Sequence, residues 1–278
     1  YMIIAEGGST KLDIVVIDEQ NEVRRYSLPG INPFYQSTEE MTSTLKESQI
    51  RVERGNALKK VYYYGAGCAF EEQTNAIKEC FKQAFQSETV EVESDLLAAA
   101  RGLFGDEKGI AAILGTGSNS GYYDGERIID NVSSLGFMLG DEGSGAVLGK
   151  LLMGNIFKNQ LPEAVKEDFV QTYGYNMMDV IEKVYRTPLP NRFLASFGPF
   201  ISKHIAVPEM YNMVYGALES FIVRNVKQYP TETYPVNFTG SIAYYFADIL
   251  KDLSVKHNFK IGRISQDPLE GLIQYHKN

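Results

Sequence analysis

Three short turns combine glycine with hydroxyl side chains: Gly7-Gly8-Ser9-Thr10-Lys11, Gly115-Thr116-Gly117-Ser118-Asn119 and Thr239-Gly240-Ser241. Glycine lets the backbone come close to a ligand, and exposed amides beside Ser or Thr hydroxyls form a nest for anionic oxygens. The third turn opens a predicted helix, whose N-terminus adds partial positive charge. Any one of these turns reads equally as hairpin or cap chemistry, but three in phased positions point to phosphate. Asp95, where a strand gives way to the apolar run Leu96-Leu97-Ala98-Ala99-Ala100, has two readings. It is either a helix N-cap or a carboxylate that accepts a hydroxyl proton in phosphoryl transfer. Gly140-Asp141-Glu142-Gly143-Ser144 sets two more acids at a helix start, with capping again the plain alternative.

Other chemistries fail on spacing. Gly143-Ser144-Gly145 to Gly149-Lys150 lacks the Walker A spacing and continues into Leu151. Gly65-Ala66-Gly67-Cys68-Ala69 runs into Phe70 where a dinucleotide fingerprint needs a third small residue. His204, His257 and His276 are scattered, and the 18 tyrosines read as packing. The two cysteines, Cys68 and Cys80, form no CxxC, so neither a disulfide framework nor a cysteine zinc site is expected. That usage fits a reducing compartment, and a cytoplasmic protein is expected. The 278 residues carry 27 basic and 35 acidic side chains, a net charge of −8. So acidic a surface is a poor partner for nucleic acid or anionic membranes. No apolar run approaches the ~20 residues of a membrane helix. Tyr1 to Glu6 shows no basic leader or long apolar stretch, so no signal peptide is expected.

The elements that must position these residues follow from periodicity. Met2–Ala5, Ile14–Ile17 and Val23–Leu28 predict an antiparallel three-stranded meander with the first glycine turn at its tip. Helices are expected over 38–54, 70–85 and 96–104, with strands at 61–64 and 89–92 between them. Ser94 or Asp95 should cap the third helix. The pattern then restarts: strand 110–114, the second glycine turn, and a further hairpin. Gly117-Ser118-Asn119 echoes Gly8-Ser9-Thr10, which suggests an internal duplication. Helices are predicted at 143–158, 162–173, 177–185 and 210–228. A strand at 236–238 leads into the third turn and a helix over 242–253, and Asp267-Pro268 caps a terminal helix. Alternating strands and helices of this kind predict α/β layers with mixed sheets, in two domains.

Glu6-Gly7-Gly8-Ser9-Thr10-Lys11, Leu114 to Asn119, Gly140 to Ser144 and Thr239-Gly240-Ser241, in this order and spacing, resemble the N-acetylglucosamine kinase branch of the actin-like (sugar kinase, Hsp70, actin) ATPases. That branch is grouped with the activators of benzoyl-CoA reductase and 2-hydroxyacyl-CoA dehydratase. The resemblance spans nearly the whole chain. It implies two actin-like (ribonuclease H-like) domains with a cleft between them, over residues 1–105 and 106–265, with a helix in 266–278 packing back on the first. It implies an ATP-dependent sugar kinase, a small-molecule sugar as substrate, ATP and Mg²⁺ as cofactors, and no nucleic-acid or membrane partner; a homodimer stays open. Gly8, Ser9, Thr10, Lys11 and Thr116 would bind the ATP phosphates, with Gly240 and Ser241 near the adenosine. Asp95 matches the aspartate that deprotonates the sugar. Asn32, Ser118, Asn119, Gly136 and Asp141 match positions that bind the sugar or shape its pocket, and Glu6 would hold Mg²⁺ through water. Many actin-like kinases carry Asp where this chain has Glu6. The chain has no Trp, so Phe34 would replace the ring-stacking tryptophan of some members. The cysteine-rich zinc motif of ROK-type kinases is missing. A non-catalytic sugar or nucleotide sensor, or a reductase-type activator, are the alternatives on the same fold.

Overall fold

The structure, a computed structural model, describes residues 1–7, 11–48, 50, 60–65 and 70–277. Gly8, Ser9 and Thr10 of the first turn and Cys68 lie outside the described residues, as does the end of the helix expected over 38–54.

The chain divides into two compact units, Tyr1–Gly102 with Leu269–Asn278, and Leu103–Pro268. In the first, β1 (Met2–Gly7), β2 (Lys11–Ile17) and β3 (Val23–Pro29) form the expected meander. After α1 (Thr38–Glu47), β4 (Lys60–Gly65) adds parallel to β1. After α2 (Glu71–Phe85), β5 (Val90–Ser94) adds parallel to β4, and α3 (Asp95–Phe104) follows at once. The sheet order is β3-β2-β1-β4-β5. Strand alternation sends Ile3, Ala5, Leu12 and Ile14 to one face, where Met41, Leu45, Ile77 and Phe81 of α1 and α2 cover them.

The second unit opens with β6 (Gly109–Leu114), β7 (Ser118–Tyr123) and β8 (Ile128–Asp130), an antiparallel meander. Then come α4 (Gly136–Leu139), α5 (Gly145–Phe157), α6 (Glu163–Tyr173), α7 (Met177–Tyr185), α8 (Pro190–Ala195), α9 (Gly198–Lys203) and α10 (Pro208–Arg224). β9 (Val236–Thr239) pairs parallel with β6. α11 (Ser241–Tyr245) and α12 (Ala247–Lys256) precede β10 (Ile261–Ser265), which pairs parallel with β9. The order β10-β9-β6-β7-β8 repeats the first sheet strand for strand, with the same parallel and antiparallel pairings, as a duplication requires. Its core gathers α5, α6, α9 and α10 around Phe169, whose ring lies 5.5 Å from Phe197 and 5.6 Å from Phe200.

Finally α13 (Leu269–Lys277) returns to the first unit and covers the other face of its sheet. Leu269, Leu272 and Ile273 are buried there with Ile4, Val15, Ile17, Tyr64 and Ala98. Gly271 permits this approach, because a Cβ there would collide with the carbonyl of Gly102.

Of the two expected caps of α3 it is Ser94 that serves, its Oγ accepting the Leu97 N–H at 3.1 Å. Other local expectations change. The helix expected over 242–253 breaks at Phe246 into α11 and α12. The helix expected over 210–228 begins at Pro208 and ends at Arg224, with a 3₁₀ turn after it. The segments α4, α8, α9 and β10 arise where no periodic pattern was visible.

Candidate functional site

In the first unit, the strand register gathers the candidates at one edge. Leu28, Leu12, Gly7, Gly65 and Ser94 are successive Cα partners across all five strands. This row is the carboxyl end of the parallel strands β1, β4 and β5, the edge where open α/β sheets bind ligands. Glu6 precedes it, Lys11 and the loop leading to Asn32 flank it, and Asp95 follows Ser94 directly.

Asp95 is the first residue of α3. Because Ser94 supplies the cap, the Asp95 carboxyl is not needed to start the helix. Burial pushes the carboxyl above the usual aspartate range, only partly offset by the backbone N–H groups of Leu96 and Asp95 itself. A carboxyl so placed binds a proton more tightly than a surface aspartate, which suits a general base.

Asn32 sits in an Asx turn, its Oδ1 accepting the Phe34 N–H at 2.9 Å while its own N–H donates to Gln36 Oε1 at 2.7 Å. The Asn32 Nδ2 group makes no hydrogen bond among the described residues. Phe34 is exposed next to it, with an edge contact to Phe70 at 6.5 Å. Lys11 ion-pairs with Asp13 at 2.8 Å, and Asp13 is the Cα partner of Glu6 on β1. Asp13 is a participant the sequence did not suggest; the strict alternation of β2 could have placed it opposite Glu6.

In the second unit, Asn119, Ile113, Thr239 and Ser265 form the matching row across β7, β6, β9 and β10. Three segments lock together just beyond it. The Gly115–Asn119 turn closes through the Gly115 N–H to the Gly117 carbonyl at 3.0 Å. Asp141, buried and left-handed (φ 52°), reaches this turn, and its Oδ1 accepts the Ser118 N–H at 3.1 Å. The start of α5 completes the contact, Gly145 and Ala146 donating to the carbonyls of Gly115 and Thr116 at 2.7 and 3.1 Å. Ser144 caps α5 through the Val147 N–H. Thus Ser118 and Asp141 are brought together, while Thr116 stays exposed at the tip.

Asn119 is oriented by Asn131, whose Nδ2 donates to its Oδ1 at 3.0 Å. Asn131 was not singled out from sequence, and nothing local marks it. Gly136 opens α4 in a left-handed conformation (φ 72°), and its carbonyl accepts from Gly140 in the Asp141 turn. Gly240 has φ 116°, and a Cβ there would strike the Leu114 carbonyl, so the third turn lies flat against the second. Ser241 is exposed on α11, which at five residues is too short for the helix-terminus charge expected of it.

Cys80 is buried, and burial lifts its thiol to about 12, so it is an inert core residue and no cluster ligand. Among the described residues no three His, Cys, Asp or Glu converge on a metal-sized site, and no helix is long and apolar enough to cross a membrane.

No protein-family model and no curated protein matches the chain. Among solved structures it is similar to a candidate N-acetylglucosamine kinase from Porphyromonas gingivalis, with 43% identity and a TM-score of 0.93 over 99% of this chain and 98% of the other. A candidate N-acetylglucosamine kinase from Chromobacterium violaceum shares the fold at 18% identity and a TM-score of 0.74, over 99% and 98% of the chains. MreB 5 of Spiroplasma citri, solved with AMPPNP, shares it at 13% identity and 0.56, over 99% and 94%. With that identity across nearly all of both chains in the first pair, this chain belongs to the N-acetylglucosamine kinase-like family.

Proposed function

We propose that this protein is an ATP-dependent kinase that phosphorylates a hydroxyl of an amino sugar, with N-acetylglucosamine as the acceptor. The observation that carries the reading is Asp95, a desolvated carboxyl held by the Ser94-capped start of α3 at the carboxyl edge of its sheet. The similarity to a candidate N-acetylglucosamine kinase at 43% identity supports the choice of acceptor.

Asp95 would take the proton of the sugar hydroxyl as that oxygen bonds to the γ-phosphorus and the bond to the β-phosphate oxygen breaks, releasing ADP. Asn119, oriented by Asn131, and Ser118 and Asp141, tied to each other, offer a rigid set of donors and acceptors for sugar hydroxyls. Gly136 shapes the wall beside them, and Asn32 adds a free amide. Gly8, Ser9, Thr10, Lys11 and Thr116 would hold the terminal phosphates, and Gly240 and Ser241 would lie near the adenosine. Glu6 and Asp13, on adjacent strands, are hard oxygen donors of the kind Mg²⁺ takes, and a site with few carboxylates suits an ion that keeps most of its water. Glu6 would hold Mg²⁺ through water, and the bound ion supplies neutralisation of phosphate charge.

The test is ADP release with ATP, Mg²⁺ and a panel of hexoses and N-acetylhexosamines. Turnover should depend on N-acetylglucosamine. Asp95→Asn should lower kcat by about 10²–10⁴-fold, the usual worth of a general base, with ATP affinity unchanged. Sugar binding without ADP release would make the protein a sensor and end the kinase reading.

A further inference from the structure

β7 runs for six residues, but β8 pairs with it only at Tyr122 and Tyr123. The half of β7 that holds Ser118 and Asn119 is therefore met, on the side away from β6, by side chains and not by a strand. One of them comes from far along the chain. Tyr229, which follows the 3₁₀ turn after α10, is buried and brings its hydroxyl to the place where β7 and the segment after β8 meet. Its Oη accepts the Val132 N–H at 2.7 Å and donates to the Ser120 carbonyl at 3.0 Å. The Ser120 hydroxyl lies 3.0 Å from the same oxygen. Because the single phenolic proton goes to the carbonyl, Ser120 Oγ is the donor in that third contact. A phenol has one hydrogen and two lone pairs to offer, and here all three are used. Burial raises this phenol above the ordinary tyrosine range, which keeps the proton in place for the carbonyl.

The bonds continue to the amide of Asn119. Asn131, the residue before Val132, donates from Nδ2 to the Ser120 carbonyl at 2.7 Å and to Asn119 Oδ1 at 3.0 Å. The Ser120 N–H donates to the same Oδ1 at 2.9 Å. Reversing the Asn119 amide would set donor against donor, and reversing Asn131 would set its oxygen against the Ser120 carbonyl. Both lone pairs of Asn119 Oδ1 are thus taken, and the group Asn119 can turn to a ligand is its Nδ2, a donor.

We propose that Tyr229 is a positioning residue for the acceptor sugar. Its hydroxyl ties Ser120 to the 131–132 segment, and through them it fixes Asn119 with Nδ2 presented to an oxygen of the sugar. This rests on the reading of Asn119 as a sugar contact in the kinase proposed above, and adds to it the residue that sets the direction of that contact.

The experiment is isothermal titration of N-acetylglucosamine and of ATP into the wild type, Tyr229→Phe, Asn119→Ala and the double variant. Tyr229→Phe keeps the ring in the core and removes the hydroxyl. It should bind the sugar about three- to ten-fold more weakly, the worth of one hydrogen bond, with ATP affinity unchanged. The double variant should bind the sugar no more weakly than Asn119→Ala alone, because Tyr229 acts through that amide. Equal losses for sugar and ATP would make the hydroxyl merely structural and overturn the assignment. Wild-type sugar affinity in Tyr229→Phe overturns it too, as do losses that multiply in the double variant or a loss in Tyr229→Phe with none in Asn119→Ala. Ser120→Ala, which removes one of the three bonds to Oη, takes the place of Tyr229→Phe if that variant does not fold, and is judged by the same outcomes. A wild type that binds ATP but no N-acetylglucosamine removes the acceptor reading and this inference with it.

Discussion

Asp95 feels two opposed influences: backbone N–H groups at the head of α3 favour its charge, and burial disfavours it. Burial wins. The acid limb of the kcat–pH profile should therefore lie above the ~3.9 of an ordinary aspartate. The stability consequence has a definite sign. A carboxyl whose folded pKa is raised favours the fold at low pH and loses that contribution as pH rises through the raised value. At neutral pH the ionised group is a burden, so Asp95→Asn should lose turnover without lowering the urea midpoint. A fall in that midpoint would mean the carboxylate serves the fold and not the chemistry. In sequence Asp95 read as a cap or a base; Ser94 takes the cap, which leaves the Asp95 carboxyl for the proposed role. Asn131 and Asp13 escaped notice because their roles depend on a partner from another strand, which no local spacing encodes.

At the scale of elements, two short features hold the site. Removing the α3 cap with Ser94→Ala should cost about 1 kcal/mol in urea unfolding. Because Asp95 stands on the first turn, kcat should drop in the same variant by more than the stability loss implies. Gly240 is the stricter constraint. Its φ of 116° and the Leu114 carbonyl behind it leave no room for a side chain, so Gly240→Ala should cost about 1–3 kcal/mol or more and weaken ATP binding. Glycine turns and β-branched runs were legible because their signal is local. By contrast α8, α9 and β10 were not. Thr187-Pro188-Leu189-Pro190 and Gly198-Pro199 punctuate helices too short to show a period, and Ile261-Gly262-Arg263 breaks the alternation of a strand.

For the whole molecule, the duplicated sheet order gives each unit its own carboxyl edge, and the echo between two glycine turns was enough to suggest it. What the sequence concealed was how the last helix is fastened. His276 on α13 meets Tyr64 Oη at 2.7 Å, and Arg101 donates to the same hydroxyl. Burial, with the Arg101 charge adding to it, lowers the His276 imidazole from 6.5 to about 4. On unfolding the ring takes up a proton anywhere between those values, so this contribution to stability is complete above about 6.5 and is lost as pH falls toward 4. Urea unfolding should show about 1–2 kcal/mol less stability at pH 5 than at pH 7.5 from this residue, allowing for its part-exposed ring. His276→Phe should flatten that slope, and an unchanged slope would place the acid sensitivity elsewhere.

The return of α13 also imposes an order on synthesis. A ribosome delivers every residue of the second unit before it delivers Leu269, Leu272 and Ile273. Until they emerge, Ile4, Val15 and Ile17 wait on a nascent sheet with an oily side uncovered. The half made first is thus the half finished last, and a chain stalled ahead of Leu269 should present that surface to chaperones while its later half is already native.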